Sequence, residues 1–150
     1  MKQSMQKREI TYEYIRGLVD GEGCFTFCRG YGGGKLPTFA IQMHERDREL
    51  IMAVRDKLGL ENKIYALKPY LGDGFKRGGG ARLMVRDLGS LKNVIIPLFR
   101  NKLVGYKGLQ FENWMEKIGN DPEVPGSYKL LYRLHKKDGF YDKNPNKFDI

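Results

Sequence analysis

Residues 15 to 23 read Ile-Arg-Gly-Leu-Val-Asp-Gly-Glu-Gly, and no other stretch so narrows what the chain can fold into. Gly17 and Gly21 lie four apart, so on a helix they share one face and leave a strip bare of side chains. Another backbone can approach closely there. Small residues at this spacing pair helices in membranes, but no apolar run here comes near the ~18 residues a membrane helix requires. The expected partner is a helix in water, from this chain or from a second copy. Gly21 and Gly23 are poor helix formers and are expected to adopt the backbone angles that stop the helix. Glu22 then sits on the exit turn, where the negative end of the helix macrodipole disfavours a carboxylate unless a cation is nearby. That points to a metal.

Charge narrows the range of partners. The chain carries 27 Lys and Arg against 18 Asp and Glu, a net +9 over 150 residues, and the length predicts one domain with enough chain to bury a core. The excess is uneven. Residues 1 to 23 balance, and residues 43 to 61 are slightly acidic, whereas residues 24 to 42 hold Arg29 and Lys35 and no acid. Residues 62 to 86 hold Lys63, Lys68, Lys76, Arg77, Arg82 and Arg86 against Asp73 alone.

The two basic segments also carry the strand signals. Cys24 to Arg29 alternates with a period of two, with Phe25 and Phe27 on one face and Cys24, Thr26 and Cys28 on the other. Tyr31 to Lys35 reads as a hairpin loop, and Thr38 to Gln42 as the returning strand with Phe39 and Ile41 inward. A second hairpin repeats the plan: residues 62 to 69, a glycine-rich loop from Gly72 to Gly80, then Ala81 to Arg86, where Arg82, Met84 and Arg86 oppose Leu83 and Val85. The expected sheet has one apolar face against helices and one basic face toward solvent. A two-stranded ribbon fits the DNA major groove, where arginine reads guanine edges, while lysine on phosphate adds affinity without sequence information. Candidate DNA contacts are therefore Thr26, Cys28, Arg29, Tyr31, Lys35, Thr38, Ala40, Gln42, Lys63, Tyr65, Lys68, Lys76, Arg77, Arg82, Met84 and Arg86.

Helices fill the gaps. Residues 46 to 58 place Leu50, Ile51, Val54 and Leu58 at helical spacing before Gly59. Asp87 can cap a helix over 88 to 96, with Leu91, Val94 and Ile95 inward until Pro97. Leu109, Phe111, Trp114, Met115 and Ile118 define another, closed by Gly119, and residues 127 to 137 a last short one. The expected class is α+β, an αββ unit repeated and followed by helices, with an antiparallel four-stranded sheet. The core covers about residues 10–118, and residues 119–150 form a C-terminal helical extension and tail.

Other chemistries find little support. Cys24 and Cys28 would lie about 13 Å apart along a strand, beyond the roughly 7 Å a disulfide tolerates, so both read as free thiols. His44 and His135 are the remaining soft ligands, show no zinc spacing, and read as surface or groove residues. The triple glycines at 32 to 34 and 78 to 80 lack the Lys-Ser or Lys-Thr ending of a phosphate-binding loop. With no signal peptide or membrane span, the chain is expected to be soluble and intracellular, in a prokaryotic cytoplasm or an organelle without distinction.

The nonapeptide resembles the LAGLIDADG motif of homing endonucleases, single-motif type. Ile15, Gly17, Leu18, Val19, Asp20, Glu22 and Gly23 are direct or conservative matches, and Arg16 and Gly21 stand where that family has alanine. The resemblance implies the αββαββα fold and a homodimer paired through the motif helix, with Gly17, Leu18, Asp20 and Gly21 at the interface. It further implies a long, nearly palindromic DNA target cut on both strands to leave 3′ overhangs, the activity of an intron-encoded nuclease that spreads its own intron. Glu22 would hold the divalent metal with the Gly21 carbonyl, while Asp20 would cap the partner helix or touch the metal. Magnesium is the expected ion; manganese would substitute, and calcium would bind without supporting cleavage. A basic residue near the cut phosphate is expected before the later helix: Lys107, with Lys102 as the alternative. Where many members carry a polar residue after the second strand, this chain has Met43 beside Gln42, so Gln42 is the candidate for water positioning or for facing a base. The alternatives are an intron maturase of the same fold, binding RNA, and a nucleic-acid-binding regulator that does not cleave.

Overall fold

The structure is a computed structural model describing residues 9–30, 32–69, 78–141 and 147–149. Helix α1 (Tyr12–Glu22) leads directly into strand β1 (Gly23–Arg29) and β2 (Lys35–His44), followed by α2 (Arg48–Lys57), β3 (Ile64–Leu67) and β4 (Gly80–Val85). Short α3 (Leu88–Ser90) and α4 (Ile96–Phe99) flank a widened turn, and α5 (Tyr106–Asn120) and α6 (Lys129–Lys136) complete the chain's longer elements. The four strands form one antiparallel sheet in the order β1-β2-β4-β3. This is the repeated αββ order expected from the hydrophobic periods.

The register sorts the side chains. Phe39 pairs with both Phe25 and Val85, and Ile41 with Leu83; all five are buried beneath α1, α2, α4 and α5 with Ile15, Val19, Ile51, Phe99, Phe111 and Trp114. Phe25 is the hub, with ring centroids 5.1–5.9 Å from those of Phe39, Phe99, Phe111 and Trp114. The opposite face carries the pairs Cys24–Ala40, Thr26–Thr38, Ala40–Met84, Gln42–Arg82 and Tyr65–Arg82. A sheet edge left bare invites pairing with another chain. Here α5 covers the β1 edge: Trp114 Nε1 donates to the Thr26 carbonyl at 2.7 Å, and the Phe25 amide donates to Gln110 Oε1 at 3.1 Å.

Several expectations need correction. The helix begun at Asp87 does not end at Pro97. Proline has no amide to donate, and the chain widens over Leu91–Ile95, where the Ile96 amide reaches back five residues to the Leu91 carbonyl, before α4 runs through Pro97 to Phe99. Leu109 is exposed, not inward, because two residues from Phe111 is about 200° around a helix. Strand β3 is shorter than residues 62 to 69, since Asn62 turns aside to donate to the Met84 carbonyl and the Asp87 carboxylate. Gly23 is not a left-handed stop. It is extended at φ −82°, ψ 166°, and it must be glycine because a Cβ there would meet Val19 Cγ1 at 2.5 Å. Left-handed glycines occur instead at Gly32, Gly33 and Gly59, the first two in the β1–β2 hairpin and the third just after α2.

His135 is likewise no surface residue. It is buried between Arg100, whose Nε donates to Nδ1 at 2.9 Å, and Glu112, whose Oε2 lies 2.9 Å from Nε2. Since Nδ1 accepts, the ring proton sits on Nε2 and is donated to Glu112. This chain of contacts ties α6 to α5 and to the turn after α4. No helix among the described residues is long and apolar enough to cross a membrane.

Candidate active site and nucleic-acid interface

Thr11 caps α1 by accepting the Tyr14 amide, and Ile15 and Val19 fix the helix to the core at zero exposure. Gly17 and Gly21 therefore face outward, and an added Cβ at either would meet nothing within 4 Å. The glycine strip is free of partners from its own chain among the described residues. Arg16, standing in place of an alanine, is buried. Its guanidinium donates to the Leu98 carbonyl at 2.8 Å and is shared between Glu13 and Asp149. It staples α1 to α4 and to the end of the chain.

The two motif acids have different fates. Asp20 accepts the Val104 and Gly105 amides at 3.0 and 3.1 Å, capping the N-terminal end of α5 in its own chain. Glu22 is exposed at the last position of α1 and makes no hydrogen bond or ion pair with the described residues. The last turn of α1 contains no basic side chain, so the helix dipole and the carboxylate concentrate negative potential at one point. Among the described residues no three His, Cys, Asp or Glu converge as a metal cluster. One chain thus presents a single carboxylate beside the Gly21 carbonyl, a donor set that suits a hard cation such as magnesium completed from a second source.

The lysine alternatives also separate. Lys102 pairs with Asp149 at 3.1 Å, and Asp149 is held against the core by its neighbour Phe148, whose ring meets Tyr12 edge-on at 5.0 Å. Burial pushes the Asp149 carboxyl up, but hydrogen bonds from Arg16 and Lys102 outweigh it and hold the group below the usual carboxylate range. Lys107, in the first turn of the helix that Asp20 caps, makes no hydrogen bond or ion pair with the described residues.

On the open sheet face, Gln42 and Arg82 act as a unit. Gln42 Oε1 accepts from Arg82 Nη2 at 2.7 Å and from Nε at 3.1 Å, which fixes the guanidinium in front of the strands. Lys63 lies over the Tyr65 ring at 5.3 Å, and Thr26 and Lys68 are exposed, whereas Cys28, Ala40 and Met84 are half-buried. Cys28 Sγ accepts from Arg86 Nη1 at 3.4 Å.

Two candidates are not available on that face. Thr38 is 1% exposed, its hydroxyl turned to the Leu36 carbonyl and Cys28. Lys35 is clamped between Asp121 at 3.0 Å and Glu123 at 3.3 Å, and those hydrogen bonds raise its pKa. Arg29 donates to the Gly33 carbonyl and braces the hairpin. Tyr31, Lys76 and Arg77 lie outside the described residues. Sequence reasoning missed Arg16, Gln110 and Asp149, and only the buried charge at position 16 left a trace, as a departure from the motif.

An acid-tipped helix with a bare glycine face lies beside an antiparallel sheet with a basic open surface, in an α+β core of repeated αββ order. The family model described as LAGLIDADG endonuclease matches residues 15–118, and the chain belongs to that family, the single-motif homing endonucleases. The crystal structure of a homing endonuclease, I-TnaI, matches with a TM-score of 0.59 at 21% identity, covering 87% of this chain and 88% of that one. The I-LtrWI LAGLIDADG homing endonuclease bound to target DNA gives 0.64 at 18%, covering 92% and 47%. I-SmaMI bound to an uncleaved DNA target with calcium ions gives 0.62 at 20%, covering 90% and 47%. The chain spans about half the length of the latter two, and at these identities the likeness is one of fold. No curated protein matches the chain.

Proposed function

We propose that two copies of this chain pair through the Gly17, Leu18 and Gly21 face of α1 and act as a site-specific DNA endonuclease. The unpartnered glycine strip carries this reading: it runs along α1 to Glu22, so a two-fold axis through it brings two Glu22 carboxylates together, one for each DNA strand. The likeness to proteins solved on DNA supports duplex DNA as the substrate.

Each Glu22, with the Gly21 carbonyl, would hold a divalent cation. Magnesium, or manganese in its place, supplies an activated water and neutralises charge on the phosphate when bound; calcium would hold DNA without cutting. Asp20 orients the α5 N-terminus toward the motif and stays with its amides, contributing position to the metal site. Lys107 places a positive charge by the scissile phosphate, while Lys102 serves the Asp149 contact. Arg82, aimed by Gln42, reads a guanine edge in the major groove. The core of about residues 10–118 would suffice for these roles, and the product is a double-strand break with 3′ overhangs in a near-palindromic site.

The test is to incubate purified protein with a plasmid library carrying candidate insertion sites, with magnesium and with EDTA, and to sequence the ends. Discrete ends at one site, lost with EDTA and in Glu22→Gln, are expected. Salt-sensitive binding with no ends in either condition would overturn cleavage and direct the next assay to RNA.

A further inference from the structure

The glycine strip of α1 is too small to join two copies by itself. A helix of 11 residues is roughly 16 Å long and 10–12 Å wide, a footprint of under about 200 Å², and Gly17 and Gly21 add no side chain to it. A stable pairing of two proteins covers about 800 Å² on each partner. The remainder has to come from surface next to α1. Among the described residues five large apolar or aromatic side chains are exposed, and four of them, Tyr14, Val104, Tyr106 and Leu109, lie on α1, in the turn before α5 or in the first turn of α5. Val104 is 92% exposed and Tyr106 77%.

Asp20 fixes where these side chains stand. At about 100° per residue, Asp20 lies about 60° around α1 from Gly17 and about 100° from Gly21, on the flank of the bare face, and its carboxylate accepts the Val104 and Gly105 amides at 3.0 and 3.1 Å. The turn before α5 therefore runs along the border of the strip. Tyr14, seven residues before Gly21 and within about 20° of its direction, continues the same face toward the start of α1. The turn is also braced at both ends. Leu103 packs against the core, and the Gly108 amide donates to the Gly105 carbonyl at 2.9 Å. Side chains ordered in advance lose little entropy on docking. Their chemistry favours a protein: Leu103, Val104, Gly105 and Tyr106 carry no charge, whereas a nucleic-acid backbone is met mostly by cations and polar donors. Aromatic side chains and few charges mark the core of an interface between proteins.

We propose that Val104 and Tyr106, with Tyr14, are contact residues for a second copy of this chain, so that the turn before α5 of each copy packs on the other beside the two-fold axis. The proposal rests on the pairing through α1 given above. It is tested on the full chain by sedimentation in the absence of DNA. Val104→Ala takes two methyl groups from each copy, and the dimer dissociation constant should rise about a hundredfold; Tyr106→Ala should weaken the dimer at least as much. Val104→Thr, which keeps the shape and adds a hydroxyl, should weaken it too. Thermal unfolding of all three, at concentrations where the wild type is monomeric, should match the wild type, because both side chains are exposed in a single chain. Unchanged dimer constants in these variants, with the dimer still weakened by Gly17→Ala, would overturn this proposal and leave the pairing through α1 standing. The same result with DNA affinity reduced would assign the turn to DNA instead. A wild type that stays monomeric at every concentration would overturn the pairing itself.

Discussion

Gly17→Ala separates folding from assembly because the two should move in opposite directions. In one chain the new methyl group meets nothing within 4 Å, so it acts through helix propensity alone, a gain of about 0.8–1.0 kcal/mol over glycine in a helix interior. For a chain of this length that raises Tm by about 2–4 °C. Across a two-fold interface the same methyl appears twice where backbones must approach. At about 1–3 kcal/mol for each overpacked group, the dimer loses roughly 2–6 kcal/mol, a dissociation constant weakened about 30-fold at the low end. Sedimentation gives the dimer constant. Thermal unfolding is then followed at concentrations where the wild type is monomeric, since assembly itself raises apparent stability. Cleavage should fall with the dimer. A variant that is less stable as a monomer, or that pairs and cuts like the wild type, would refute the argument.

Other consequences follow from single contacts. Glu22→Gln should abolish cleavage while leaving DNA affinity close to wild type in a calcium-containing binding assay; cutting by the variant would remove Glu22 from the metal site. Lys107→Ala should slow cleavage about a hundredfold, by analogy with loss of one preorganised electrostatic group, whereas Lys102→Ala should leave the single-turnover rate nearly unchanged; the reverse ranking would exchange their roles. Gly23→Ala should destabilise by about 1–3 kcal/mol, because its Cβ falls 2.5 Å from the buried Val19 Cγ1 and 3.0 Å from the Val19 carbonyl oxygen; an unchanged unfolding midpoint would show that the α1–β1 junction yields.

The Lys35 clamp has a defined pH window. The backbone hydrogen bond from Glu123, then the Lys35 hydrogen bond, lower Asp121 below its ordinary 3.8, so its contribution is present above that value and fades as pH falls through the folded pKa. Lys35 is raised above 10.5 by hydrogen bonds to Asp121 and Glu123, so its part persists below that value and is lost as pH climbs past the folded pKa. Asp121→Asn should therefore flatten the acid limb of a melting-temperature profile, and identical acid limbs in the two proteins would count against the clamp.

Much of this architecture was legible in the sequence because it is periodic. Alternation placed Phe25, Phe39, Ile41, Leu83 and Val85 on one side of the sheet, and the Gly17–Gly21 spacing marked a helix face bare of side chains, while only the fold left that face open. Glu22 was readable for a local reason: an acid at a helix end with no basic neighbour in the turn is an electrostatic anomaly visible in nine residues. What the sequence could not contain were distances between segments far apart in the chain. Only the packed structure put Asp20 on the amides of Val104 and Gly105, Asp149 between Arg16 and Lys102, and Lys35 between Asp121 and Glu123. Such contacts withdraw charges from the list that composition offers to a ligand, and they do so through side-chain reach across tertiary packing, which no periodicity encodes. The pattern of apolar and basic residues determined which face meets the core; the fold decided which of the remaining charges are left open to a ligand.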